Sequence, residues 1–205
     1  MKIQSIQLPK IVKALAVATP LLMASPAIKA QSLEGVSEDV FIRSEEISDD
    51  VKIPEEMLMS PELSVGGETV YPAIVVSLSE GRLYYYDYDT YLYDFYPIAS
   101  GKTSTTTKPG LRLINNIEKY PYSDAPKDTK RYKNPDDYGT YILNLSVVDP
   151  ETGNITGNNG QYIHGTFNPN SIGKKVSKGC IRVHNDVIEH LAYVLEEGQY
   201  VLIKE

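Results

Sequence analysis

The chain has little of what a disulfide framework or a structural metal site requires. It contains one cysteine, Cys180, no tryptophan and three histidines among 205 residues. A single thiol excludes an internal disulfide, and it leaves too few soft ligands for zinc, which binds three or four protein side chains. No phosphate-binding glycine motif is present either. The sequence therefore predicts a protein with no metal and no cofactor.

The first thirty residues lack acidic side chains. They carry four lysines, and the apolar stretch ALAVATPLLM spans 14–23. This stretch is shorter than the roughly 20 residues of a transmembrane helix, whereas a basic start, a short apolar core and small residues are typical of a secretory signal peptide. We expect cleavage after Ala30 or Ala27, and a mature chain without a transmembrane segment in the periplasm or cell wall.

Basic residues are fewer than acidic ones, 20 against 27, and without residues 1–30 the formal net charge falls from −7 to −11. This balance argues against nucleic acid as a partner. Residues 31–70 hold many of the acids, few aromatics and no sustained apolar period, which predicts a solvated linker or loosely ordered arm. One domain is then expected at 71–205.

That domain has the pattern of a mostly β fold. Three antiparallel strands are predicted at 73–78, 82–86 and 91–99, because β-branched residues and tyrosines are separated there by turn residues. Further strands are predicted at 111–114, as a pair within 138–149, and at 200–203. The tyrosines of 84–96 suit either a platform for stacking sugars or bases or, as we favour, rings that cover one another on a sheet.

One helix is predicted near the C-terminus, with a long surface excursion at 118–138 before it. Asn185 and Asp186 can cap a helix whose apolar residues recur at helical spacing, and Gly198 would end it. The fold class expected is mostly β with one or two short helices.

A single cysteine in an exported chain is an intermolecular bridge, a reactive thiol or an inert buried side chain. As a nucleophile, Cys180 would need a base. His184 stands about 13 Å along an extended segment, and His190 lies on the predicted helix, where a surface imidazole is expected. His164 ends an apolar strand, and a loop at 167–176 returns the chain toward the cysteine. We therefore predict His164 as the base.

Two neighbours of the cysteine suit substrate binding. Gly179 lets a carbonyl approach the main chain, and the N–H groups of Gly179 and Cys180 can form an oxyanion hole. Arg182 lies on the same face of an extended chain as Cys180, where it can favour the thiolate or bind a carboxylate. Lys178 would point the opposite way, toward solvent.

The sequence HGT at 164–166, followed by SKGCIRVHN at 177–185, resembles the L,D-transpeptidase catalytic domain of the YkuD-like family. That family is marked by His-Gly, a variable loop, Ser/Thr-x-Gly-Cys and Ile-Arg. The resemblance adds Ser177 and Gly165 to the site residues, and it implies a β-sandwich. Lys178 stands where many members have histidine, and the segment 118–134 is longer and more charged than in the family.

The resemblance implies a cysteine acyltransferase that acts on peptidoglycan stem peptides. Cys180 would form a thioester with the third residue of a stem and release D-alanine, and an amine of a neighbouring stem would resolve it into a 3→3 crosslink. Water in place of the amine would give L,D-carboxypeptidase activity. A sortase-like transpeptidase and a non-catalytic wall-binding domain are the alternatives.

Overall fold

The structure is a computed structural model that describes residues 52–157 and 161–205. The predicted signal peptide and most of the predicted acidic arm lie outside these residues. Strands predominate over helices in the described part of the chain, so the mostly β fold class with short helices is confirmed. Neither described helix is both long and apolar enough to cross a membrane.

The strands of the described residues are β1 (Leu63–Val65), β2 (Glu68–Val70), β3 (Ile74–Ser77), β4 (Arg82–Tyr86), β5 (Leu92–Pro97), β6 (Ser100–Gly101), β7 (Gly110–Lys119), β8 (Tyr141–Val148), β9 (Ile155–Gly157), β10 (Tyr162–His164), β11 (Lys175–Ser177), β12 (Ile181–Arg182) and β13 (Tyr200–Lys204). The helices are α1 (Lys130–Lys133) and α2 (Asn185–Val194), with 3₁₀ turns at Glu55–Met57, Pro135–Tyr138 and Pro169–Ser171.

Nine of the described strands form one mixed sheet, in which β12, β10, β8, β7, β13, β3, β4 and β5 lie side by side in that order and β9 pairs with β8. The pairs β12–β10 and β13–β3 are parallel, and the other neighbours are antiparallel. The small pair β6–β11 adjoins the β12 edge through a bridge between Ala99 and Arg182. The sheet edge that carries the cysteine is thus supported on both sides.

Most of the predicted strands lie close to where the sequence placed them, and three expectations were wrong. The stretch 138–149 contains the single strand β8, because residues from Tyr141 to Val147 pair with the one neighbouring strand β7. Strand β7 runs on to Lys119, well beyond the predicted end. Helix α2 has His184 as its N-cap and ends at Val194, before Gly198.

The main core lies between one face of the sheet and α2. Ile188 and Leu191 of α2 are fully buried against sheet residues that include Ile163 and Ile181. This face is continuous with the sheet edge at β10 and β12. Its packing therefore fixes the strands that carry the histidine and the cysteine.

The opposite face is covered by two segments outside the sheet. Met57, 2% exposed, packs with Tyr84 and Tyr86 of β4, and the hairpin of β1 and β2 buries Val65 nearby. Residues 52–70 are therefore ordered on the sheet, and the predicted domain limit at residue 70 stays a prediction. The three buried tyrosines of β4 agree with rings that cover one another, since Tyr85 contacts Tyr93 edge to face.

Leu191→Ala tests whether α2 packs against the sheet to form the main core. Truncation of a fully buried leucine leaves a cavity, so we expect the free energy of unfolding to fall by about 2–5 kcal/mol. Tyr193→Ala on the same helix is the control, because Tyr193 is 84% exposed, and its effect should stay within about 0.5 kcal/mol. Urea unfolding measures both, and equal losses would show that α2 is not packed as described.

Candidate functional site

The site is built on the parallel pairing of β10 with β12. Ile163 pairs with Ile181 and His164 with Arg182. Both isoleucines are fully buried in the main core. Because side chains alternate along a strand, the residues on either side of them point to the opposite face. His164 and Arg182 thus share that face with Tyr162 and Cys180, which precede the isoleucines.

His164 is held by the main chain that follows it. The ring is 2% exposed, and its Nδ1 lies 2.6 Å from the carbonyl oxygen of Gly165. A carbonyl accepts but cannot donate, so Nδ1 carries the hydrogen and Nε2 is the unprotonated nitrogen. This carbonyl is the orienting group that the sequence could not assign. The ring is therefore set as a base through Nε2.

Gly165 is required for close packing rather than for substrate contact. A Cβ at this position would lie 2.2 Å from Oδ1 of Asn185 and 3.0 Å from a side-chain carbon of Ile188. Asn185 in turn accepts a hydrogen bond from the N–H of Thr166 at 2.8 Å. The glycine predicted as a site residue thus acts through its carbonyl, and the Asn185 side chain is a tether to α2 rather than a helix cap.

Tyr138 connects the imidazole with the thiol. Its ring centroid lies 5.0 Å from that of His164. Burial, and then the charge of a Cys180 thiolate, raise the pKa of Tyr138 to about 12. A single phenol therefore adjoins both groups. The strand–loop–strand arrangement expected from the sequence does bring the histidine and the cysteine to one place.

Cys180 is a half-buried thiol that forms no disulfide. Burial raises the pKa of the thiol, whereas the main-chain N–H of Tyr162 and the charges of Arg182 and Lys130 lower it. The net effect is a raised pKa of the thiol. The cations expected to favour a thiolate therefore only reduce the effect of burial. The resting side chain is a neutral thiol.

The imidazole is neutral as well. Burial, and with it the positive charge of Arg182, lower the pKa of His164 to about 4, although the carbonyls of Gly165 and Tyr138 favour the protonated ring. At neutral pH the site therefore holds a protonated thiol beside an unprotonated imidazole. That combination transfers a proton during the attack and needs no preformed ion pair.

The loop before the cysteine is braced from within by Ser177. Its hydroxyl donates to the carbonyl of Cys180 at 2.6 Å and accepts the N–H of Gly179 at 3.1 Å. The N–H of Gly179, predicted as one half of an oxyanion hole, is thus engaged inside the loop. Gly179 has a φ of 114°, a left-handed conformation that favours glycine.

Gln161 and Arg112 form a buried pair that holds the peptide between Gly179 and Cys180, and the sequence gives no signal for it. Gln161 donates through Nε2 to the carbonyl of Gly179 at 3.3 Å, and its Oε1 accepts from Nη2 of Arg112 at 3.0 Å. Both side chains are about 95% buried, at 5% and 3% exposure. In a trans peptide the C=O and N–H point in opposite directions. The N–H of Cys180 is therefore directed away from Gln161.

Arg182 offers a donor at the site. The residue is half-buried, and its Nε is buried without a hydrogen-bond partner among the described residues. A buried donor with no partner costs free energy unless a ligand satisfies it. Its position, in register with His164, makes Arg182 suited to hold a polar group of a substrate.

Residues 118–138, expected as a long surface excursion, are mostly exposed, and a few of their side chains tie the segment to this face. Arg131 forms a salt bridge with Glu118 at 2.7 Å, and its Nη1 lies 3.4 Å from the hydroxyl of Tyr162. Tyr122 is 2% exposed and donates to the carbonyl of Gly139 at 2.7 Å. The excess of charge in this segment was visible in the sequence, but its partners were not.

The other two histidines lie apart from the reacting pair. His184 is the N-cap of α2, and His190 stacks on Tyr93 with ring centroids 6.1 Å apart rather than standing free in solvent. Lys178 is exposed. Among the histidines, only His164 shares its strand face with the cysteine.

Comparison with known proteins places this geometry in a family. The sequence profile of the YkuD family, described as the L,D-transpeptidase catalytic domain, matches residues 71–203. A Bacillus licheniformis protein that carries the name L,D-transpeptidase YkuD is 37% identical over 136 residues, which are 66% of this chain and 67% of that protein. The Escherichia coli protein named L,D-transpeptidase ErfK/SrfK is 31% identical over 151 residues, which are 69% of this chain and 47% of that protein.

Among solved structures, a mutant of the Enterococcus faecium L,D-transpeptidase is similar, with 25% identity, a TM-score of 0.48, and coverage of 65% of this chain and 49% of that one. The chain thus spans about half the length of several of its relatives. The profile covers more than half of the chain, and its limits enclose every residue of the site. The chain belongs to the YkuD family of L,D-transpeptidase catalytic domains.

Proposed function

We propose that the protein is an exported cysteine acyltransferase that crosslinks peptidoglycan stem peptides. The observation that supports this most strongly is the shared strand face of Cys180 and His164, with Nδ1 of the imidazole fixed on the Gly165 carbonyl. The names of the relatives supply the reaction class, and the basic, apolar start of the sequence supports export to the periplasm or cell wall.

The first half-reaction is an acyl transfer to sulfur. Nε2 of His164 takes the proton of the Cys180 thiol as Sγ attacks the carbonyl carbon of the third stem residue. The bond from that carbon to the nitrogen of D-alanine then breaks. The same imidazole returns the proton to the departing amine, so D-alanine leaves neutral at nitrogen and a thioester remains.

The second half-reaction reverses these roles. An amine of a neighbouring stem gives up a proton to His164 and attacks the thioester carbon, and the sulfur leaves and regains the proton. The product is a 3→3 crosslink, while attack by water would trim the stem to a tripeptide. The site provides for either nucleophile, so the acceptor decides between transpeptidase and L,D-carboxypeptidase activity.

Two groups are proposed to stabilise charge during the reaction. The N–H of Cys180, directed away from Gln161, is placed to donate to the oxyanion. Arg182 has a buried Nε to offer and lies next to His164 in the sheet. It would hold a carbonyl or carboxylate on the acyl side of the scissile bond.

Removal of either reacting group should stop the reaction while the fold survives. We expect Cys180→Ala to abolish product, because no thioester forms, and His164→Ala to reduce the rate by roughly a hundredfold or more, the usual contribution of a general base. Incubation with purified muropeptides, followed by mass analysis, distinguishes crosslinked dimers from trimmed tripeptides.

His190→Ala is the matched control for this experiment, since it removes an imidazole that stacks on Tyr93 away from the site, and it should retain activity. Circular dichroism verifies that each variant is folded. Full activity of His164→Ala would show that the base is misassigned, and no product from the unaltered protein would favour a non-catalytic wall-binding domain.

The neutral thiol predicts a particular pH dependence of alkylation. Burial raises the pKa of Cys180, so the thiolate fraction at pH 7 is smaller than that of a free cysteine, whose pKa is about 8.5. We expect iodoacetamide to modify Cys180 slowly at pH 7 and faster as the pH rises beyond 9. A rate already at its maximum near pH 6 would show a preformed thiolate and contradict this assignment.

A further inference from the structure

The structure contains a polar cavity beside the nucleophile that the proposed chemistry does not yet use. It has a volume of about 300 Å³ and is lined by Ser104, Thr105, Thr106, Lys108, Gln161, Lys178 and Gly179. Two of these residues, Lys178 and Gly179, directly precede Cys180 in the chain. The cavity therefore adjoins the loop that leads directly to the nucleophile.

The charge of the cavity is opposite to that of the protein. The whole chain has a net charge of −7, yet the lining contains two lysines, several hydroxyl groups and an amide, and no carboxylate. A cavity lined by charges of one sign attracts a ligand of the opposite charge. An anion is the ligand that this lining fits.

A buried cation behind the cavity adds to this potential. Arg112 is 3% exposed and donates to the carbonyls of Lys108 and Leu111 and to the amide of Gln161. Within the described part of the chain, Arg131 forms a salt bridge with Glu118, whereas the hydrogen-bond acceptors of Arg112 are all neutral. A buried charge without a counterion is costly. Its field reaches the cavity through Gln161.

The donor peptide of the proposed reaction carries an anion, its terminal carboxylate, close to the carbon that the sulfur attacks. The leaving D-alanine carries the C-terminal carboxylate of the donor peptide, one residue from the carbonyl that the sulfur attacks. One residue of extended chain spans at most about 3.6 Å, so this carboxylate must lie within a residue's length of the reacting carbon. Gly179, which lines the cavity, is bonded directly to Cys180, so the cavity adjoins the residue that carries Sγ.

We propose that this cavity is the subsite for the terminal carboxylate of the acyl donor, with Lys108 and Lys178 as its specificity-determining residues. The inference rests on the proposed function, and it identifies the side of the site from which the leaving group departs. Charge-assisted hydrogen bonds from the two ammonium groups to the carboxylate would orient the scissile bond toward Sγ. Donors that end in a free carboxylate are then favoured.

The test compares two stem tetrapeptide donors, one with a free C-terminal carboxylate and one with a C-terminal carboxamide. Acylation of Cys180 by each is followed by mass spectrometry, and kcat/KM is measured for both with the mature chain. We expect the carboxylate donor to be preferred by about tenfold or more, the usual value of one charge-assisted hydrogen bond. In the double variant Lys108→Gln with Lys178→Gln, this ratio should fall toward one.

The matched control is the double variant Lys174→Gln with Lys175→Gln. These two lysines are exposed at the start of β11 and lie outside the cavity. Their replacement removes the same amount of charge, so the preference for the carboxylate donor should persist. A conservative variant, Lys178→Arg, should restore part of the preference that glutamine removes. The KM of the carboxylate donor, rather than kcat, is expected to carry most of the change.

Three outcomes would overturn the subsite. The first is equal acylation of the unaltered protein by both donors, and the second is a full preference that persists in the cavity variants. The third is loss of the preference in Arg182→Lys alone, which would assign the carboxylate to Arg182. In each of these cases acylation of Cys180 itself still supports the acyltransferase. If neither donor acylates Cys180, the proposed function and the subsite fail together.

Discussion

The site depends on the parallel register between β10 and β12. Ile163 and Ile181 are both fully buried in the core, and a slip of one residue would turn them to the other face and carry His164 and Cys180 into the core. Parallel neighbours need a crossover of about a dozen residues or more, which the stretch from Gly165 to the cysteine supplies. Hydrophobic packing on one face thus sets the chemistry on the other.

Burial decides the protonation state of the reacting pair. It raises the pKa of the Cys180 thiol and lowers that of His164, and both shifts disfavour charge. Arg182 opposes the first shift and adds to the second. A neutral thiol beside a neutral imidazole needs no preformed ion pair, because a proton can pass between them during an attack by the sulfur.

The peptide that carries the nucleophile is fixed from several directions. Ser177 closes the loop on itself, Gln161 holds the Gly179 carbonyl, and Arg112 holds Gln161. On the other side, Tyr122 and Arg131 tie residues 118–138 to the face. These contacts together fix the main chain at Cys180.

The sequence by itself determined the mostly β class and most strand positions, and it predicted Cys180 and His164 as a pair, because alternation, turn residues and a His-Gly…Ser-Lys-Gly-Cys-Ile-Arg spacing are local signals. It misplaced the cap of α2, divided β8 and ended β7 too early, since each depends on partners remote in the chain. Only the tertiary structure decided that the Gly165 carbonyl orients His164 and that Arg112 reaches Gln161 across 49 residues. Hydrogen bonds between distant residues leave no periodic trace in a sequence, so the fold alone reveals them.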